Sequence, residues 1–398
     1  MNNFFIKLRR VSWRDLLDAW KLLPAILLAP MYRLLKGDFW IICEDANEAR
    51  DNGYWFFKYV CEYHPEQKCI YAIRRESPDY DKVVTFGETV EYGSLKHWIV
   101  YLASSKKISS QKAGNPNAAI FYVLEVYGFL KDNRIFLQHG VIINNLEWLY
   151  YKVTKIKRFI CGTYPEYEFI KNTFGYPDEN IVYTGLCRFD NLHDSEVDKH
   201  AILIMPTWRE WIADEDARLL KIEGTTNITD TNYFKKWRGF LSDVRLERLA
   251  TKYGVKFYFY PHRNMQKYID SFPSSNEYLS VFFAKDIDIQ DLLKKSVLMI
   301  TDYSSVFFDM LYMKKPVICY QFDYDTFRKN QYSEGYFDYK NNPFLKSYGD
   351  ENSVFKELER YIQCNFMVSS DYEKAHKEFF KLYDRKNCER IYEVTKRL

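Results

Sequence analysis

Short apolar runs of strand length alternate with longer stretches of helical period along most of the chain. In the first half the apolar runs fall at 39–43, 69–73, 83–86, 107–110, 135–138, 159–161 and 181–183. Helical stretches separate them at 54–63, 95–103, 118–129, 147–153 and 165–173. Strand and helix taken in turn predict a parallel sheet covered by helices. The polar stretch 194–200 reads as a linker, and the pattern then restarts. Strands are expected at 201–205, 255–260 and 278–283, and helices at 233–253, 266–271 and 289–295. Residues 327–343 read as an aromatic-rich loop, and 352–365 and 371–395 as charged helices suited to wrapping a surface. The organisation is a basic segment (1–36), two βα domains (37–195 and 196–370) and a helical end (371–398). Two such domains in tandem leave a cleft, and ligands of these sheets sit at the carboxyl ends of the strands.

The stretch 297–320, VLMITDYSSVFFDMLYMKKPVICY, condenses the pattern into one βαβ unit. A strand at 297–300 runs into the turn Thr301-Asp302-Tyr303-Ser304-Ser305. A helix at 306–313 presents Phe307, Met310 and Leu311 on one face, Pro316 ends it, and a second strand follows at 317–320. Two serines at a helix start offer hydroxyls and free backbone N–H groups where the helix dipole is positive, which is an anion site. The plainer alternative is that Asp302, Ser304 or Ser305 only caps the helix.

Composition narrows the class. The 398 residues are 47% hydrophobic and 28% charged, as in a globular chain with real cores, and they include 34 Tyr and 30 Phe. A net charge of +3 disfavours a general nucleic-acid binder. The basic excess is local: residues 1–36 hold Lys7, Arg9, Arg10, Arg14, Lys21, Arg33 and Lys36 against Asp15 and Asp18. This segment also carries Trp13, Trp20 and an apolar run at 22–32, too short for the roughly 20 residues that span a bilayer. It reads as a basic amphipathic segment lying on an anionic membrane surface, or as a helix docked on the protein itself. The 8 Cys are scattered without CxxC spacing and read as reduced core residues, with no zinc framework.

Four motifs follow expected strands. The first is Gln138-His139-Gly140, where the imidazole suits a general base on the acceptor side and Gly140 allows close approach to the backbone. The second is Pro206-Thr207-Trp208-Arg209, whose guanidinium suits a phosphate or a neighbouring carboxylate. The third is Pro261-His262-Arg263, a cationic pair suited to a pyrophosphate. The fourth is the Thr301–Ser305 turn. There is no P-loop, no GxGxxG and no metal-binding carboxylate pair in a suitable position, so a phosphate site here uses cations, hydroxyls and helix starts.

The series Glu44…Ala49-Arg50-Asp51-Asn52-Gly53-Tyr54, Gln138-His139-Gly140, Gly185-Leu186-Cys187-Arg188-Phe189-Asp190, Pro206-Thr207-Trp208-Arg209, Pro261-His262-Arg263 and Thr301–Ser305 through Asp309 resembles the CDP-glycerol glycerophosphotransferase family over roughly residues 39–390. That family includes teichoic-acid primases and polymerases and related capsule enzymes. The resemblance implies an α/β fold of the GT-B type, with two Rossmann-like domains whose parallel sheets face a central cleft. It implies transfer of a polyol phosphate from CDP-glycerol or CDP-ribitol to a lipid-linked or polymeric glycan, with no bound cofactor or metal. It implies catalytic roles for His139 and His262. Donor contacts are then expected from Thr207, Arg209, His262, Arg263, Thr301, Asp302, Tyr303, Ser304, Ser305 and Asp309, and acceptor contacts from Gly140 and Asn52. The family's peripheral attachment at the cytoplasmic face of the membrane suits the basic first 36 residues. Many members read His-Gly-Thr-Pro where this chain has His139-Gly140-Val141-Ile142, and His-Pro where it has Pro261-His262-Arg263, so the polyol and the acceptor stay open. A nucleotide-sugar transferase of the same fold and a non-catalytic polymer- or membrane-binding scaffold are the rival readings.

Overall fold

The computed structural model describes residues 17–111, 114–131, 133–193, 196–213 and 227–398. The expected basic residues Lys7, Arg9, Arg10 and Arg14, and part of the expected linker, lie outside them. The chain forms two compact units. The first comprises 1–139, 147–191 and 384–398; the second comprises 140–146 and 192–383. The closing stretch 371–398, read above as one segment, is therefore divided between units.

In chain order the first unit carries strands β1 (Trp40–Cys43), β2 (Cys69–Ile73), β3 (Glu88–Glu91), β4 (Lys106–Ser109) and β5 (Arg134–Phe136). After the two-residue β6 (Asn144–Asn145), which belongs to the second unit, come β7 (Arg158–Cys161) and β8 (Ile181–Tyr183). The seven strands of this sheet are all parallel, in the order β3-β2-β1-β4-β5-β7-β8. Helices cover both faces, so the central strands are apolar throughout. Trp40 and Ile42 of β1 enter one core, with Phe56, Phe57 and Tyr392. Ile41 and Cys43 enter the other, with Trp98, Phe121 and Ala25.

The second unit holds β9 (Asp198–Ile204), β10 (Lys256–Phe259), β11 (Leu279–Val281), β12 (Ser296–Thr301), β13 (Val317–Tyr320), β14 (Ser333–Glu334) and β15 (Leu345–Tyr348). Its six-stranded sheet is parallel in the order β11-β10-β9-β12-β13-β15. Strand order reverses between β9 and β12, which makes their carboxyl ends the topological switch point where open α/β sheets bind ligands. β6 and β14 pair separately as an antiparallel ribbon.

Several elements differ from the pattern read in the sequence. The expected strand at 83–86 is the end of the helix Tyr80–Val84, and the strand is instead Glu88–Glu91. Leu345–Tyr348 was not anticipated at all. Both are edge strands, and charge on an edge discourages pairing with another chain, so they lack the apolar run that marks a central strand. The single helix expected at 233–253 is two, Asn232–Leu241 and Val244–Tyr253. Asp243 breaks it by accepting the Arg245 N–H at 2.8 Å as the cap of the second helix. The helices Ser370–Phe379 and Asn387–Lys396 replace the one expected at 371–395.

Candidate active site

In the first unit a carboxylate organises the turn after β1. Glu44 is buried, and it accepts N–H bonds from Arg50 (2.9 Å), Asp51 (3.1 Å) and Tyr54 (2.6 Å). A Cβ on Gly53 would stand 2.7 Å from Glu44 Cγ, so this position has room for glycine only. Burial, then the neighbouring Asp51 charge, push the Glu44 carboxyl up to about 8, while the three amides pull the other way. The helix Asn52–Tyr63 starts from this turn.

Asn52 spans three motifs. Its Nδ2 donates to the Gln138 carbonyl at 2.7 Å, and its Oδ1 accepts the Arg188 N–H at 3.0 Å. Gln138 needs such support, because its φ of +61° lies in the left-handed region that a residue with a side chain enters at a cost. The Gln138 amide group also donates to the Ile160 carbonyl. Arg188 is buried, and its Nη1 donates to Asp51 Oδ1 at 2.8 Å and to the His139 carbonyl at 2.9 Å. The His139 backbone is thus held from behind while its imidazole is exposed.

In the second unit the switch point is drawn together by side chains. Thr301 Oγ1 donates to the Met205 carbonyl at 2.7 Å, tying the end of β12 to that of β9. Asp302 Oδ1 accepts the N–H groups of Thr207 (2.8 Å) and Tyr303 (2.7 Å). Arg209 is fully buried. Its Nη2 lies 2.9 Å from Asp302 Oδ2, and its Nε and Nη2 form a two-point pair with Asp323 at 2.7 and 3.1 Å. Burial alone would lower the Arg209 pKa, but Asp323 and Asp302 outweigh it and hold the guanidinium charged. Burial also raises the Asp302 pKa against the opposing pull of Arg209 and the two amides. The Tyr303 hydroxyl donates to Asp323 at 3.1 Å, and its ring stacks on Phe327 at 3.8 Å between centroids.

Around this frame stand the groups with chemistry to offer. Thr207 Oγ1 is buried without a hydrogen-bond partner among the described residues. The half-buried His262 ring accepts the Asn264 N–H on Nδ1 at 3.2 Å, which leaves the proton of the neutral ring on Nε2. The same ring lies beside Trp208, and the His262 N–H reaches the Pro206 carbonyl at 3.4 Å. Arg263 is exposed. Ser304 accepts the Val306 N–H at 3.4 Å. The helix after the turn is only Phe307–Tyr312, with Val306 as its cap and no side-chain capping bond. Asp302 therefore braces the strand ends rather than capping that helix, and Asp309 is buried inside it. Gly140 lies against Ser305: a Cβ there would come 2.9 Å from Ser305 Oγ.

The predicted residues thus fall into two groups. Asn52 and His139 sit together in the first unit. Gly140, Thr207, Arg209, His262, Arg263, Thr301–Ser305 and Asp309 belong to the second. Glu44, Asp51, Gln138 and Arg188 stood inside the quoted motifs without an assigned role. Asp323 stood in none, and nothing in the stretch QFDYD marks it.

Comparison with known proteins bears on both units. The chain is 33% identical over 361 residues to the minor teichoic acid biosynthesis protein GgaB of Bacillus subtilis, covering 89% of this chain and 39% of that protein. It is 23% identical over 319 residues to a teichoic acid poly(glycerol phosphate) polymerase of Staphylococcus epidermidis, covering 70% and 39%. The chain therefore spans about two fifths of the length of these curated relatives. Its fold matches the wall teichoic acid polymerase TagF, soaked with CDPG in one structure, at a TM-score of 0.67 and 17% identity over 97% of this chain and 98% of that one. A putative UDP-N-acetylglucosamine 2-epimerase from Listeria monocytogenes shares the α/β architecture at a TM-score of 0.52 and 12% identity, over 89% and 95%. The sequence model of the CDP-glycerol:poly(glycerophosphate) glycerophosphotransferases matches residues 33–396, nearly the whole chain, and the chain belongs to that family.

Proposed function

We propose that this chain transfers glycerol phosphate, or another polyol phosphate, from a CDP-activated donor to a hydroxyl of a lipid-linked or polymeric glycan in teichoic-acid or capsule assembly. The observation that carries the reading is the switch point of the second unit. There the Thr207 hydroxyl, buried without a hydrogen-bond partner among the described residues, and the His262 ring, whose neutral form carries its proton on Nε2, accompany the Ser304–Ser305 turn. These are donors suited to a pyrophosphate. The acceptor oxygen attacks the phosphorus that carries the polyol, the bond from that phosphorus to the bridging oxygen breaks, and CMP leaves. His139 takes the acceptor proton. Thr207, His262, Arg263, Ser304 and Ser305 meet the charge that builds on the departing phosphate. Arg209 acts from behind them, because its guanidinium is spent on Asp302 and Asp323. Asn52 holds the backbone at His139 rather than a substrate.

The exposed helix at the start of the described chain supports a peripheral position on the cytoplasmic face of the membrane. No described helix is long and apolar enough to cross a bilayer. The helix Leu22–Lys36 nevertheless turns Leu23, Leu27, Met31, Leu34 and Leu35 outward. Removal of residues 1–36 is expected to release the protein from anionic vesicles, measured by co-sedimentation. Continued pelleting would place the anchor elsewhere.

The activity is tested by following CMP release with CDP-glycerol, CDP-ribitol and UDP-glucose, each with a lipid-linked glycan acceptor analogue. Turnover of one CDP-polyol is expected. Transfer from UDP-glucose alone would overturn the donor class in favour of a sugar transferase. Failure of all three would favour a non-catalytic scaffold.

A further inference from the structure

The amino-terminal ends of the first sheet frame a recess of about 440 Å3, within the range of sites for small polar ligands. It lies at the opposite end of the strands from His139, so the chemistry above makes no use of it. Its walls carry Arg33, Lys106, Lys131 and Lys396, with Asp38 the one carboxylate among the described residues that line it. Among the described residues the Arg33 guanidinium makes only long contacts, 3.4 Å to the Ala103 carbonyl and 3.4 Å to Asp38. Lys106 is shifted toward its neutral form, first by burial and then by Lys131, Arg158 and Arg33, against the pull of Asp38. Like charges gathered in a concavity are relieved when an anion enters.

The position of Arg33 indicates where that anion comes from. Arg33 lies in the last turn of the helix Leu22–Lys36, followed by Leu34, 84% exposed, and Leu35, 79% exposed. The inner face of this helix is made of small residues. Ala25 and Ala29 are buried in one core with Trp98 and Tyr101 of the helix Leu95–Ala103, and their size lets the two helices approach closely. The outer face, apolar for three turns, is left uncovered by the described residues of this unit. An apolar face this wide is unfavourable in water and suits the boundary between headgroups and acyl chains. The cationic recess opens beside its last turn, where headgroup phosphates would lie.

We propose that this recess binds the phosphate of an anionic lipid headgroup when the outer face of Leu22–Lys36 lies in the membrane surface. The proposal rests on the peripheral-membrane reading above and deepens it. The apolar face supplies depth, and Arg33, Lys106, Lys131 and Lys396 supply the preference for anionic lipid. A basic residue near an anionic surface contributes about 1 kcal/mol, so loss of two lysines weakens that preference by roughly thirtyfold.

The test is flotation of the full chain with phosphatidylcholine vesicles and with equimolar phosphatidylcholine–phosphatidylglycerol vesicles. The wild type is expected to bind both, and the anionic vesicles more tightly. Lys106→Ala/Lys131→Ala is expected to lose most of that preference while still binding neutral vesicles. Leu27→Ser/Leu34→Ser is expected to lose both. Lys252→Ala/Lys374→Ala removes the same charge from exposed positions and is expected to behave as wild type. Equal losses in the two lysine pairs, or none in the recess pair, would overturn the site while leaving membrane attachment intact. Failure of the wild type to bind any vesicle, or its self-association through this face instead, would overturn both. Calorimetric titration with inorganic phosphate is expected to show no saturable binding. Saturable binding abolished by Lys106→Ala/Lys131→Ala would assign the recess to free phosphate.

Discussion

Each unit places an arginine and a histidine near the carboxyl ends of its strands, and the two pairs divide their work in the same way. Arg188 and Arg209 are both buried, 4% and 0% exposed, and both are engaged by aspartate. His139 is exposed and His262 half-buried. The cations brace and the imidazoles present themselves. The braces differ in kind, however. Arg188 reaches across three loops to main-chain and side-chain oxygens, and its partner Asp51 keeps a side chain 22% exposed. Arg209 sits in a closed triad with Asp302 and Asp323, sealed by Tyr303 on Phe327. The first frame holds one strained backbone step. The second locks the carboxyl ends of β9 and β12 together. A strand-end arginine in a sequence therefore says little about ligand contact until its acidic partner is known.

The largest expected effect separates presenting groups from bracing ones. His139→Ala is expected to lower turnover by about 10²–10⁴-fold with an unchanged unfolding transition. A loss of less than tenfold would remove His139 from proton transfer. Next come the braces. Asp323→Ala leaves Arg209 buried with half its partners and is expected to cost about 3–5 kcal/mol in chemical denaturation. Asp51→Ala leaves Arg188 its bond to the His139 carbonyl and is expected to cost about 2 kcal/mol. Equal costs would erase the distinction between open and closed braces.

The two units are also expected to respond to pH at opposite ends of the scale. Burial lowers the His97 pKa to about 3. Between about pH 6.5 and that value the unfolded chain binds a proton that the folded one does not, so stability falls as pH falls, by at most about 1.4 kcal/mol per pH unit. His97→Phe is expected to flatten that slope in acid denaturation. In the second unit Lys315 is buried, with Nζ donating to the Leu293 carbonyl at 2.8 Å and the Lys294 carbonyl at 2.6 Å. Burial, then Lys294, lower its pKa to about 7. Above that value the unfolded chain holds the extra proton, so stability rises with pH until the free lysine titrates near about 10.4. Lys315→Met is expected to abolish the rise. The smallest effect is expected at Gly140→Ala. The added methyl meets the Ser305 hydroxyl, which can rotate, so donor KM should rise a few-fold with little change in kcat. Ser305→Ala added to it should relieve the clash.

Much of this was legible in the chain. Central strands buried on both faces must be apolar, so β1, β2, β9, β12 and β13 stood out, and the four strand-end motifs followed from them. Edge strands β3 (ETVE) and β15 (LKSY) did not stand out, because their own side chains are largely polar. Roles were harder to read than positions. Whether Arg209 faces a ligand or the interior depends on Asp323, 114 residues away, in a stretch with no distinguishing pattern. Asp302 looked like a helix cap, yet the helix begins five residues later and the carboxylate is directed back to Thr207 and Arg209. Asn52 was placed on the acceptor side by its motif. Only the fold shows that both ends of its amide are committed to the backbone at Gln138 and Arg188.

The central claim is that the second unit holds the donor while His139 serves the acceptor. Calorimetric titration of CDP-glycerol into the wild type, His139→Ala and Ser304→Ala/Ser305→Ala tests it most directly. Affinity should be the same in wild type and His139→Ala and should fall at least tenfold in the double serine variant. Loss of donor binding in His139→Ala with retention in the double serine variant would contradict the assignment.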